Sequence, residues 1–485
     1  MELEHSNQVE LSEHERKEAE ELLARGDLLY RIGEEIQQAG VAGEKRNGLI
    51  TYSCITSRIL QNPSSLLSLL IKGESATGKN YLLKKVVQLF PADAYKELTA
   101  MTTQALFYSD EPLSHKAILI CEKPGMDKAL YNIRALQSEG KLVLETVHMG
   151  AGGRLKTEKI VKEGPVCFIV TTTSLMIHVE NETRNWSIYM DETDEQTRGV
   201  KDKIAERYLT INNDFPVQKT TYRNAQALLK YYPVRIPYAR FLSERTPNKP
   251  LRMRRDFERL LAGIEIITLL HQFQREIKGD NGIRYLEATL EDYFMAMSIF
   301  EPIFEQALSG TTEKTKQIVA TVFSLYEKNN RNPITIKDLM RELNISRDTV
   351  LRWVKPAVES GEVEVEESKG KNPKTFTPGV RQNHTGLPTV RELGEAFPQL
   401  AHNFRAVDPL TGRTVTKEEF ITPPLEREKE SREEKNSQKA ENIERPKQRK
   451  MPPPGLSRWL AETDAKRLSL ERCEKDRGDR SMDEM

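Results

Sequence analysis

"GESATGKN", residues 73–80, is the stretch on which the reading of this chain turns. Phosphate-binding loops have the spacing G-x-x-x-x-G-K-[ST]. Their glycines let backbone N–H groups curl around phosphate oxygens, and the lysine reaches the β- and γ-phosphates. Gly73, Gly78 and Lys79 obey the pattern, and Asn80 stands where a hydroxyl normally meets magnesium. Asn80 still offers a carboxamide oxygen to the ion or to its water shell. Upstream, "SLLSLLIKG" reads as a buried strand; downstream, "KNYLLKKVVQLF" reads as a helix whose N-terminus favours negative charge. The bland alternative is a glycine turn before a helix, and the strand–loop–helix order weighs against it. The expectation is a site for ATP and Mg2+, with Gly73, Gly78, Lys79 and Asn80 on the nucleotide and Asn80 also on the metal.

Such a site needs an acid at the end of a neighbouring strand to hold magnesium and orient water. "AILICEKPG" supplies Glu122, with Cys121 in the usual aspartate position, so Glu122 is expected to serve as metal ligand and catalytic acid alone. A further strand, "CFIVTTTS", places Thr172 to sense the γ-phosphate, although threonine runs are also plain strand formers. "HVENETRNWSIYMDETDEQTR" offers Arg184 and Arg198 as fingers for a neighbouring subunit's γ-phosphate, a solvated loop being the competing reading. In "LRMRRDFERLL", Arg254 is the candidate to reach back over the phosphates, among Arg252 and Arg255 as surface charges.

Outward from the loop, residues 1–45 read as a charged helical segment and 46–200 as an α/β core of alternating apolar runs and helical patterns. Residues 201–310 read as a helical lid, 311–378 as a winged-helix domain, and 379–485 as a charged, mostly disordered tail. In that tail Leu456, Trp459 and Leu460 fall at helical spacing, a candidate docking helix. The 485 residues carry 73 Lys+Arg and 73 Asp+Glu, so any nucleic-acid surface must be a local patch. No stretch approaches the roughly 20 apolar residues of a membrane span, and the polar start is no signal peptide. Four scattered cysteines without a C-x-x-C pair exclude a recognisable cysteine zinc cluster and fit a reducing cytoplasm.

Several ordered segments, among them "GESATGKNYLLKKVVQLFP", "ALQSEGKLVLETV", "KEGPVCFIVTTTS", "VRIPYARFL" and "RMRRDFERLL", together resemble the AAA+-like ATPase module of phages and mobile elements. That module often follows a zinc-finger and Toprim primase. The resemblance covers about residues 45–380. It implies that a lone strand-end Glu122 suffices, that Asn80 departs from the family's usual serine, and that the chain is a primase-associated ATPase. A homo-oligomeric ring, with a hexamer as one option, and a primase or other replication protein bound through the tail complete that expectation.

Independently, "ITIKDLMRELNISRDTVLRWVKPAVESGEVEVEESKGKNPKTFTP" reads as helix-turn-helix plus β-ribbon. Ile336, Leu339, Leu343, Val350, Leu351 and Val354 form its inner stripe. Arg347, Thr349, Arg352 and Lys355 would face DNA, and Lys369, Lys371 and Lys374 would clamp the backbone from the wing. Two functions fit: a DNA-dependent ATPase acting in mobile-element replication, or an ATP-responsive DNA-binding regulator that hydrolyses little.

Overall fold

The computed structural model describes residues 11–98, 111–121, 133, 135–149, 155–173, 184–209, 219–248, 252–309, 313–329, 331–359, 361–366, 374–379, 387–417 and 419. Helices α1 (Glu13–Leu23), α2 (Leu28–Gln38) and α3 (Lys45–Thr56) lead to strand β1 (Leu69–Lys72), and the loop of interest joins β1 to helix α4 (Lys79–Val87). Then come β2 (Tyr95–Leu98), β3 (Lys116–Cys121), the antiparallel hairpin β4 (Lys141–Met149) and β5 (Leu155–Glu163), β6 (Val166–Thr172) and β7 (Trp186–Tyr189). Five of these make one sheet in the order β2-β3-β6-β1-β7, every pairing parallel.

A parallel sheet is covered on both faces, which is why β1 and β6 are apolar runs buried at every position. Alternation sorts their side chains between two cores. Leu69, Ile71, Ala117 and Leu119 face one, with α1 to α4; Leu70, Ile118, Ile120 and Phe168 face the other. The hairpin seats Leu142 against the second core and leaves Val143, Val147 and Val161 exposed.

Within residues 11–45 the helices pack into the main core. Leu22, Leu28, Leu29, Ile32 and Ile36 are buried in the main core together with Leu82 and Val86 of α4. A capping box at Ser12 and Glu15 starts α1. The described residues of 194–309 are chiefly helical but also hold a small sheet of Val234–Arg235, Ile283–Glu287 and Lys278–Asp280, which the all-helical expectation missed. Trp186 ties the large sheet to the helix Leu290–Ser309, 4.9 Å from the Phe300 ring and 5.7 Å from Phe304. Gly263 lets them meet, because a Cβ there would stand 3.2 Å from Phe300.

Residues 313–379 form helices Glu313–Lys328, Ile336–Leu343 and Arg347–Glu359 with an antiparallel sheet of Ile334–Thr335, Thr375–Pro378 and Val363–Glu366. They bury a core of their own, including Ile318, Leu339, Val350, Val354 and Phe376. The expected disorder beyond 379 is corrected for residues 387–417. Helix Val390–Ala396, the turn Pro398–Ala401 and the hairpin Arg405–Val407 with Thr414–Thr416 fold onto the main core. Leu387, Leu393, Phe404 and Ala406 are buried there, apolar surface that offsets the entropy of ordering this stretch. The proposed docking helix at Leu456, Trp459 and Leu460 lies outside the described residues.

Candidate nucleotide site

Because every strand of the sheet is parallel, all its C-terminal ends meet along one edge. The loop leaves β1 there. β6 lies between β1 and β3, with Lys72 beside Thr172 and Thr171 beside Cys121. The three strand ends named in the sequence thus stand side by side. Thr172 is buried at the root of the loop. Glu122, one residue past the end of β3, lies outside the described residues.

Within the loop, Ala76 (φ 69°) and Gly78 (φ 90°) are both left-handed. An alanine held there costs on the order of 1 kcal/mol, and alternation of this kind gathers backbone N–H groups into an anion-binding concavity. Gly73 is required by close approach, since a Cβ would meet Thr77 Oγ1 at 2.8 Å and Met190 at 3.2 Å. α4 begins at Gly78 with no side-chain cap, so the first N–H groups of the helix have no side-chain acceptor there. Lys79 is buried and folds back over the loop. Its Nζ donates to the carbonyls of Gly73 (2.7 Å) and Glu74 and lies 3.4 Å from Thr77 Oγ1.

The exit of β7 braces the cradle. The N–H of Glu74 donates to Glu192 Oε1 at 2.7 Å. Glu44 accepts from the N–H of Asp191 (2.8 Å) and from Asn47 Nδ2 (2.6 Å), and burial pushes its carboxyl above the usual range. Asn47 also donates to Tyr189 O, and Gln196 to Ala42 O. Neither Glu192 nor Glu44 was singled out from the sequence, because nothing local to them marks a residue that folds against a loop more than a hundred positions away.

Asn80 and Cys121 line one cavity of about 250 Å3 with Glu97, Lys84 and Leu119. This places Cys121 where the strand-end acid of such loops is expected. Among the described residues no cluster of three or more His, Cys, Asp or Glu could hold a metal by itself. Magnesium suits the site nonetheless. It takes one or two oxygen ligands from protein, with phosphate oxygens and water completing its shell, and Asn80 offers such an oxygen; a thiol is too soft to serve.

The arginines separate. Arg184 lines a different cavity with Ser68, Val166, Arg255 and Arg259, at the N-terminal ends of β1 and β6, and it donates to Ser138 Oγ. It therefore stands at the opposite end of the sheet from its own loop. Arg198 is exposed on helix Asp194–Leu209, which starts just past Glu192 at the loop's end. Arg254 is exposed one residue before Arg255, and Glu258 of the same helix accepts from Asn62 and Ser64; the structure does not bring Arg254 to the phosphate loop. Arg252 pairs with the buried Asp256 at 2.6 Å. In the 313–379 module, Arg347, Arg352, Lys355 and Lys374 are exposed, while Thr349 is half-buried with its hydroxyl 2.8 Å from that of Ser346. Lys369 and Lys371 lie outside the described residues.

A parallel sheet whose first strand runs through a strained glycine loop into an uncapped helix, with a buried lysine over the loop, defines a P-loop nucleotide-binding module of the NTPase class. The family described as MTBMA_p00010 P-loop domain matches residues 10–226, from before α1 to within the helix Lys219–Leu228. No curated protein matches the chain. No helix of the described residues is long and apolar enough to cross a membrane.

Proposed function

We propose that this protein is an oligomeric, DNA-associated ATPase acting in replication of a phage or mobile element. The observation that carries the proposal is the cradle itself, with Ala76 and Gly78 left-handed, α4 uncapped and Lys79 poised at the edge where three strand ends meet. Lys79 would turn from the loop carbonyls to the phosphates, Asn80 would hold the metal or its water, Thr172 would report on the γ-phosphate, and Glu122 would orient the attacking water. Bound magnesium supplies charge neutralisation across the β- and γ-phosphates. Arg184, facing away from its own loop, suits a second copy's nucleotide in a ring; Arg198 is the alternative donor.

The module at 313–379 supports the DNA half of the proposal. Read as a winged helix, it would present Arg347, Arg352 and Lys355 to a groove or to phosphates, with Lys374 at the ribbon. The phage and replication setting rests on the resemblance of the ordered segments, and a primase partner belongs to the same reading. A regulator that binds ATP but turns it over slowly is the second reading, favoured by two departures from the usual pattern, Asn80 in the loop and Cys121 at the strand end. ATP turnover by the purified chain with and without duplex DNA decides between them. Stimulation supports the ATPase; binding without turnover under both conditions supports the regulator.

A further inference from the structure

We propose that Glu97 supplies the carboxylate that Cys121 leaves missing, so that a divalent cation is held between β2 and α4 by Glu97, Asn80 and the nucleotide's own phosphates. This rests on the P-loop reading and assigns a further ligand to that site. β2 pairs with β3 in parallel, Glu97 standing opposite Leu119. Side chains two apart share a face of a strand, so Tyr95 and Glu97 lie on the face of Leu119 and Cys121. Helix α4 turns Asn80, Leu83, Lys84 and Val87 towards it at helical spacing, and these eight residues with Gln88 line the open cavity of about 250 Å3. Leu119 contributes apolar surface, while the last residue of the phosphate loop and the end of β3 supply Asn80 and Cys121.

The donor chemistry favours Glu97. Mg2+ and Mn2+ are hard cations that select carboxylate, carbonyl and water oxygens, whereas the Cys121 thiol is a soft donor. Among the described residues lining this cavity Glu97 is the carboxylate, and its side chain is exposed, so a hydrated ion would reach it without deep desolvation. Lys84 lines the same cavity, and a divalent ion would compete with it for the carboxylate.

The test titrates Mn2+ into the full chain bound to a non-hydrolysable ATP analogue and reads free Mn2+ by electron paramagnetic resonance. Glu97→Gln should weaken Mn2+ binding tenfold or more, while analogue binding in EDTA and the melting temperature stay at parental values. Adding Cys121→Asp to Glu97→Gln should restore Mn2+ affinity. Parental Mn2+ affinity in Glu97→Gln overturns the proposal, as does a loss that follows Glu122→Gln alone. Failure of the parent chain to bind the analogue would instead sink the P-loop reading, so the two failures are distinguishable.

Discussion

Lys79 is a buried cation that donates to carbonyl oxygens of its own loop. A nucleotide would replace neutral carbonyls by phosphate oxygens, and charge-assisted bonds contribute about 1.5–3 kcal/mol each. Lys79→Ala should therefore weaken ATP binding by roughly 10- to 150-fold, the arithmetic of that range, with the circular-dichroism spectrum unchanged. Equal affinity in calorimetry would remove the lysine from the site. A second residue bears on stability. Burial pushes Glu265, in the helix Met253–Leu270, from its ordinary value up to about 7. Between the ordinary value and 7 the folded chain binds the extra proton, so stability falls as pH rises through that window. Glu265→Gln should flatten the dependence and stabilise the protein above pH 7, on the order of 1–3 kcal/mol; chemical denaturation at pH 5.5 and 8 measures it.

At the scale of elements, helix Arg347–Glu359 is the part whose role is most cheaply tested. Arg352 and Lys355 are exposed and one turn apart, while Val350 and Val354 hold the inner face. If both contact phosphates, replacing them by alanine should lower the slope of log affinity against log salt by about 2, since each neutralised phosphate adds roughly 0.9. An unchanged slope would make this module a protein-binding one. The same element shows what the chain discloses locally. The helix before it, Ile336–Leu343, has its capping box at Thr335 and Asp338 and its turn at Asn344 (φ 51°) encoded within residues 335–344, and β1, the loop and α4 are encoded within residues 69–87. The small sheet at 234–287 escaped because its strands are two to five residues long and its parallel pairing, Leu286 with Val234, joins positions 52 apart. Glu97 and Glu192 escaped for a related reason: strand pairing and chain return place them at the site, and neither leaves a local pattern.

At the scale of the molecule, residues 387–417 return to the first helices. Lys45 Nζ bonds Glu34 at 2.6 Å and the carbonyl of Leu410 at 2.9 Å, and Tyr293 donates to Pro388 O. A chain ending at 421, the limit of the first compact unit, should keep the parental melting temperature. One ending at 386 loses several buried apolar side chains, each contributing about 1.5–3 kcal/mol, and should melt many degrees lower; equal melting temperatures would contradict the packing. In a ring, Arg184→Ala chains mixed with Lys79→Ala chains should recover turnover that neither shows alone, because one copy retains the loop and the other the arginine. No recovery would exclude Arg184 as the donated group.

The bond from Lys45 to Leu410 has a consequence in time. Its partners are 365 positions apart. At synthesis rates of roughly 5–20 residues per second, about 20–70 seconds separate their emergence from the ribosome. During that interval the stretch at 39–45, which neighbours Tyr81 of α4 and Gln196, lacks its final latch. A nascent chain would therefore carry the phosphate loop and the helix after it well before the last strands arrive.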